Sequence, residues 1–466
     1  MKVGLIGPSY EQRSLPFDAQ RTINLYPIFD DQGKEIAALY GTPGLSLFCT
    51  AGNGPIRKSF SSTNGRAFVV SGQYLYEIDG AGASTNRGTL NTSSGPVTID
   101  ENATQLFICD GDDGYALTYS SNAFAVVSDG DFPSAGTVTY VGGYFIVNQN
   151  NTGKFFISAL NDGTSWAPLD FATAESSPDN LKRVIRAVGQ LWLIGNKTTE
   201  IWSNTGEASF PFQRISGAET NIGIMAPYSA LEFASSLFWV AETAEGRGVV
   251  VRATSYTPQR ISTEAIEYAI SRASAPENIY SWGYQKDGHD FYVLSGGGLD
   301  TSLVYDVTTG LWHERAYLEL DGTLSTHLGS SCMFCFNKHL VGDRRNGNIY
   351  EISESYYSDN GNPIPRERTY THLSSEGKQV RYNKLTVGFE AGVGLQSGQG
   401  ADPSAMLYMS KDGGKTWSDS YTSTIGAVGD YKRTVSFRRL GIADQMTFRI
   451  RVTDPIKVAI IGSYLE

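Results

Sequence analysis

One pattern recurs along most of this chain and limits what it folds into. An apolar strand is followed by a polar turn, a second strand ending near an aromatic residue, and another turn. Successive copies read "GRAFVVSGQYLYEID", "TQLFICDGDDGYALTYSSNAFAVVS" and "GGYFIVNQNNTGKFFISALNDGTSWAPLD". They continue as "GQLWLIGNKTTEIWSNTGEASFPFQRI", "SSLFWVAETAEGRGVVVRATSYTPQRIS", "DFYVLSGGGLDTSLVYDVTTGLWHER" and "CMFCFNKHLVGDRRNGNIYEISES". These seven units lie between about residue 60 and residue 355, roughly 40–50 residues apart, which is the period of a propeller blade. Four short antiparallel strands per blade, arranged radially, protect sheet edges without a long continuous core. The expectation is an all-β protein built on a β-propeller of six or seven blades, because one hairpin could belong to a neighbouring domain.

Composition points the same way. With 26 Tyr, 22 Phe and 51 Gly, the chain is rich in strand formers and turn punctuation. One helix interrupts the repeats near residues 262–272, in "RISTEAIEYAISRASAPEN". Ser262 or Thr263 caps its first turn, and Ile266, Ala269 and Ile270 form an apolar stripe for packing. Residues 1–50 precede the repeats as an N-terminal arm, and residues 51–360 carry the propeller. After the turn-rich "YSDNGNPIP", residues 364–466 read as five or more strands of a sandwich-like C-terminal β domain.

The most specific short motif is "SKDGGKTWS". Ser410, Asp412, Gly414, Thr416 and Trp417 fit S-x-D-x-G-x-T-W, a pattern that resembles the Asp-box of sialidases. Its physics is that of a hairpin tip: Asp and Ser side chains bond turn amides, glycine permits positive φ, and Trp packs beneath. A retaining glycosidase needs a second carboxylate close by, and sialidases need a Tyr with arginines that clamp the substrate carboxylate. A degraded echo, "NDGTSW", carries Asn161 and Ser165 in place of Asp and Thr. The motif is therefore read as a structural turn.

No other constellation rises to chemistry. Cys332 and Cys335 sit an odd number apart on a strand, point to opposite faces and lack further zinc ligands. "SGGGLD" and "GDDGY" open no helix, so neither is a phosphate loop. "CDGDDG" and "SDGDFP" lack calcium-loop spacing and read as hairpin turns. The five histidines are dispersed and suggest no triad. No catalytic residue, metal or cofactor is expected.

The net charge of −11 argues against electrostatic gripping of nucleic acid and suits a wall past which DNA slides. The apolar run at the start is too short for a secretory h-region, and no stretch approaches a membrane span. Four scattered cysteines do not make a disulfide scaffold. The expectation is a soluble protein made in a cytoplasm, with no membrane partner.

Longer phrases then resemble one family in the same order. "RTINLYPIFDDQGKEIAALYGTPGLSLF", "DFATAESSPDNLKRV", "TTEIWSNTGEASFPFQRISGAETNIGIMAPYS" and "YTPQRISTEAIEYAI" are similar to the packaged-DNA stabilisation proteins of short-tailed bacteriophages, also called tail hub or nozzle proteins. Asn24-Leu25-Tyr26-Pro27, Thr42-Pro43-Gly44-Leu45, Glu200-Ile201-Trp202, Asn204-Thr205-Gly206, Phe210-Pro211-Phe212 and Arg260 to Glu267 carry the likeness. The resemblance implies a structural component of the virion tail, assembled in the host bacterial cytoplasm as a six-fold ring. That homo-hexamer would sit below the portal and adaptor, close the channel on packaged double-stranded DNA without reading its sequence, and dock tailspikes or fibres. The arm is expected to clasp a neighbour or the C-terminal sandwich, with "GTPGLSLF" supplying the strand that closes the propeller. The rival readings are a glycan-binding tail module and, behind it, a sialidase-like glycosidase.

Overall fold

The computed structural model describes residues 2–16, 18–29, 37–174, 179–243, 246–374 and 377–466. Of the stretches that carry the resemblance, residues 30–36 and 175–178 lie outside the described residues.

The repeats form seven blades. The first four are four-stranded antiparallel sheets whose first strands are Ile56–Ser61, Thr98–Glu101, Ala135–Val141 and Leu181–Ala187. The fifth is built on Ser236–Thr243 and Gly246–Ala253, and the sixth runs from Ile279–Lys286 to Leu311–Leu318. The seventh takes three strands from Gly329–Cys335, Lys338–Asp343 and Asn348–Ser353 and its fourth from Gly44–Thr50 near the start of the chain. Leu45 lies opposite Ile352, and Cys49 opposite Ile349. The innermost elements neighbour one another around a closed circle, with the seventh blade against the first.

The unbroken apolar runs in the repeats follow from this arrangement. Successive residues of a strand point to opposite faces, and each blade is covered on both. In the first blade, Phe68 and Val70 pack towards the second, while Ala67 and Val69 pack towards the seventh. Seven such inter-blade cores complete the ring. Cys332 and Cys335 divide in the same way, one on each face of the seventh blade. The inserted helix spans Glu264–Arg272, is capped by Thr263 and buries Ala265, Ile266 and Ile270 over the joint between blades five and six.

The C-terminal region is a sandwich of two sheets. Val380–Phe389, Val435–Ala443 and Ala459–Leu465 form most of one, and Arg366–Thr369, Ser404–Ser410, Tyr421–Thr424 and Gln445–Val452 most of the other. Residues 1–50 are divided between the two regions. Leu25–Phe29 and Ala37–Gly41 extend the first sheet, and Ala19–Ile23 pairs with Arg366–Thr369 in the second. Leu5, Leu25 and Leu39 accordingly belong to the sandwich core. Ile23 also meets Glu314 of the sixth blade in parallel register, so one strand joins sandwich and propeller.

Gly44 marks where the chain turns from sandwich to blade, and there the backbone packs too closely for a side chain. A Cβ at this position would lie 2.5 Å from Ser358 O and 2.6 Å from Tyr356 O, both backbone atoms that cannot swing aside. Gly44→Ala is expected to cost about 1–3 kcal/mol by overpacking, measured as a lower urea midpoint with an unchanged slope.

Candidate functional site

The Asp-box residues form the turn between Ser404–Ser410 and Tyr421–Thr424, on the sandwich. Asp412 accepts from the amides of Lys415 and Thr416 at 3.0 and 2.9 Å and from the Thr416 hydroxyl at 2.5 Å. Ser410 Oγ donates to Asp412 at 2.7 Å and accepts the Gly414 amide at 2.8 Å. Donors from Thr416, Ser410 and the turn amides hold the Asp412 carboxyl well below the usual carboxylate range. Trp417 lies under the Arg449 guanidinium, 3.8 Å from the ring centroid. Gly413 and Gly414, both at positive φ, approach Pro16 and Ala19 of the N-terminal segment. The Ser410, Asp412 and Thr416 side chains are thus engaged within the turn, and Gly413 and Gly414 rest against Pro16 and Ala19.

Catalysis in a propeller would need acid and base groups converging on a cleft. The central channel is lined by Arg57, Lys58, Arg183 and Arg344 with Tyr228 and Tyr280, and its lining includes no Asp or Glu among the described residues. Arginines and a tyrosine are what a sialidase site contains, but a nucleophile needs an adjacent base and a leaving group needs an acid. Burial raises the Tyr280 phenol to about 12, and burial raises that of Tyr228, so neither ionises near neutrality. His289 Nδ1 lies 2.7 Å from Asp306 Oδ2, yet no Ser or Cys bonds this ring among the described residues. Of the carboxylates in "CDGDDG" and "SDGDFP", Asp110 is occupied by Thr92, Tyr115 and turn amides, and Asp129 by the amides of Trp166 and Asp131.

A dense hydrogen-bond network lies at the junction of propeller, sandwich and N-terminal segment. Asn24 sits there, buried, with φ 52°. Its Nδ2 donates to Ala316 O at 2.9 Å and Pro365 O at 3.0 Å, and its Oδ1 accepts the Ala316 amide at 2.9 Å. Its own amide donates to Glu314 O at 2.8 Å, and its carbonyl accepts the Thr42 amide at 3.0 Å. Two buried arginines, Arg315 and Arg368, reach the same segment, and the half-buried Arg21 reaches out from it. Arg21 clasps Glu314 with two nitrogens, Arg315 donates to Pro43 O at 2.6 Å, and Arg368 donates to Leu5 O at 2.5 Å and Pro8 O at 3.0 Å. Ser9 and Thr301 add hydroxyl bonds to Glu314, each at 2.7 Å. Sequence reading singled out Asn24-Leu25-Tyr26-Pro27 and Thr42-Pro43-Gly44-Leu45 through resemblance, without showing that both meet one buried cluster. The channel arginines were missed altogether, since Arg57, Arg183 and Arg344 are scattered in sequence and the whole chain is acidic. No helix among the described residues is long and apolar enough to cross a membrane.

Fold and junction together define a propeller locked to a β-sandwich by its own N-terminal strands. Two family models match the chain end to end: "Bacteriophage P22 Gp10, beta-propeller" over residues 1–357 and "Bacteriophage P22 Gp10, beta-sandwich" over residues 365–466. The chain belongs to this family of podovirus tail proteins that stabilise packaged DNA, and it is a structural protein of the phage tail. No curated protein matches it in sequence. Among solved structures, the extracellular domain of a putative one component system from B. thetaiotaomicron aligns at 10% identity and TM-score 0.45, over 67% of this chain and 40% of that one. The N-terminal domain of Nup159 aligns at 9% identity and TM-score 0.40, over 67% of this chain and 95% of that one. YCF48 bound to D1 peptide aligns at 12% and 0.37, over 74% and 97%. The chain spans less than half of the first of these, and at such scores nothing about it follows from them.

Two outcomes are expected from this geometry. Burial pushes the Glu314 carboxyl up, but the charge and bonds of Arg21, with Thr301 and Ser9, outweigh burial and hold it below its ordinary 4.5. A depressed carboxylate stabilises the fold above its unfolded pKa, so this contribution is complete above about pH 4.5 and is lost as acid protonates the folded form. Glu314→Gln leaves the partly exposed Arg21 guanidinium its longer 3.7 Å contact to Glu11 and should cost about 1–3 kcal/mol at neutral pH, with a flatter stability profile below pH 4.5 in urea titrations. Asp412→Ala should release the Lys415 and Thr416 amides to fast hydrogen exchange while blade amides keep their protection, read by exchange mass spectrometry.

Proposed function

We propose that this protein is a hub or nozzle subunit of the tail. In this reading it closes the DNA exit channel below the portal and adaptor, retains the packaged genome and docks tailspikes or fibres. The carrying observation is that both family models match in order and cover almost the whole chain. A part loaded by pressurised DNA benefits from domains that do not swing, and the Asn24–Glu314 junction supplies that rigidity. The assembled form is a homo-hexameric ring, put together in the host cytoplasm on the adaptor as template. Exposed apolar side chains such as Leu169 on the third blade, Leu320 after the sixth and Tyr431 on the sandwich are available for its contacts.

The reading is non-enzymatic. The strongest support is a channel lining that, among the described residues, has cations and phenols but no carboxylate to serve as nucleophile or general base beside them.

An amber mutant of the gene, grown in a non-suppressing host, tests the role. Capsids should fill and then release their DNA, and adding the purified protein to freshly filled capsids should restore retention. Stable DNA-filled heads without the protein would overturn the proposal, as would particles that retain DNA while the protein is found only free in the lysate.

A further inference from the structure

The propeller channel departs from the rest of the molecule in sign. The chain carries −11, yet the channel gathers Arg57, Lys58, Arg183 and Arg344 with no carboxylate in its lining among the described residues. Two of the four are satisfied by the backbone. Arg57 donates to Gly95 O at 2.5 Å, Thr92 O at 2.8 Å and Gly72 O at 3.1 Å, and Arg344 to Thr326 O at 3.1 Å and His327 O at 3.2 Å. Carbonyls orient these guanidinium groups, and neither forms an ion pair among the described residues.

The other two have no such partners. Arg183 Nε and Nη1 are shielded from solvent and bond no acceptor, and the buried Tyr280 hydroxyl on the same lining is also without one. Lys58 Nζ makes no hydrogen bond or ion pair among the described residues, and burial with Arg183 beside it lowers its pKa to about 8. Asp100 and Asp110 offset part of the charge of Arg183 and Arg57 from a distance, but neither carboxylate forms an ion pair with them. Asp100 accepts from the Tyr140 amide at 2.6 Å and from Thr139 at 3.2 Å, and Asp110 accepts from Thr92 and Tyr115. Buried charges in folded proteins are normally paired, because an uncompensated one costs several kilocalories.

We infer that the channel is a binding site for a small multivalent oxyanion of the phosphate class, held by Arg183 and Lys58 with Tyr280 donating. The cavity of about 450 Å³ admits such an ion with part of its water shell, water taking roughly 30 Å³ per molecule. A guanidinium fork, an ammonium and a phenol offer donors from different directions, which suits an anion with several oxygens. The ligand also neutralises a ring of inner strands that otherwise repel one another across the channel, so binding and closure of the propeller reinforce each other.

Calorimetric titration of the full chain with inorganic phosphate, and separately with pyrophosphate, in a chloride buffer tests this. One saturable site per chain is expected, weakened about tenfold or more in Arg183→Met and in Lys58→Met. Thermal unfolding separates binding from folding. Each variant loses a buried charge that has no ion-pair partner, so in phosphate-free buffer their midpoints should equal or exceed that of the parent chain, while the rise produced by phosphate disappears. No saturable heat with either anion would overturn the proposal. So would an Arg183→Met midpoint that falls by the same amount with and without phosphate, which would make the guanidinium a purely structural group.

Discussion

Asn24 is the point on which the arrangement of the two domains turns. Its side chain bonds the outer strand of the sixth blade and the entry to the sandwich together, and its backbone bonds both Glu314 and Thr42. The left-handed φ that this requires is one that asparagine tolerates better than most side chains. Losing the amide would leave three buried backbone groups without partners, at about 1–3 kcal/mol each. Against a net stability of about 5–15 kcal/mol, this one residue carries a large share of what holds propeller and sandwich as one body. Arg21, Arg315 and Arg368 work in the same direction by fastening the segments on either side of it.

The charge distribution follows from where strands begin. Lys58 and Arg183 both lie on the first strand of a blade, with Arg57 beside Lys58. First strands face the axis, so residues separated by more than a hundred positions converge there. An acidic exterior coexists with a cationic interior because burial within the ring isolates one from the other.

Much of the propeller was legible because its signal is local. Runs such as "AFVVS" and "LWLIG", apolar on both faces and bounded by turn residues, demand blades covered on each side. The helix was legible too, from Thr263, Glu264 and the Ile266–Ile270 spacing, although it starts two residues later than the pattern suggested. The Asp-box announced a turn through its own spacing. The closing strand "GTPGLSLF" was expected from the resemblance, but the register of pairing over long separation could not be read. Nothing in "QRTIN" states that Arg21 will lie opposite Thr369, or that Leu45 will lie opposite Ile352. The channel cluster was hidden for the same reason, since isolated basic residues within an acidic chain carry no mark of convergence.

The strand that closes the seventh blade has a consequence for how the chain is born. Gly44–Thr50 leaves the ribosome early, but its partner Asn348–Ser353 is made roughly 300 residues later. At about 5–20 residues per second that is a wait of some 15–60 s. Throughout it the first blade lacks a neighbour on one side, and an unpaired strand is a template for wrong pairing. Ala19–Ile23 and Leu25–Phe29 wait still longer, until the last hundred residues supply their sheets. Synthesis rate and nascent-chain protection therefore bear on the yield of this protein as much as its final stability does. A neighbouring nascent chain that offered its own closing strand first would join two subunits by exchange.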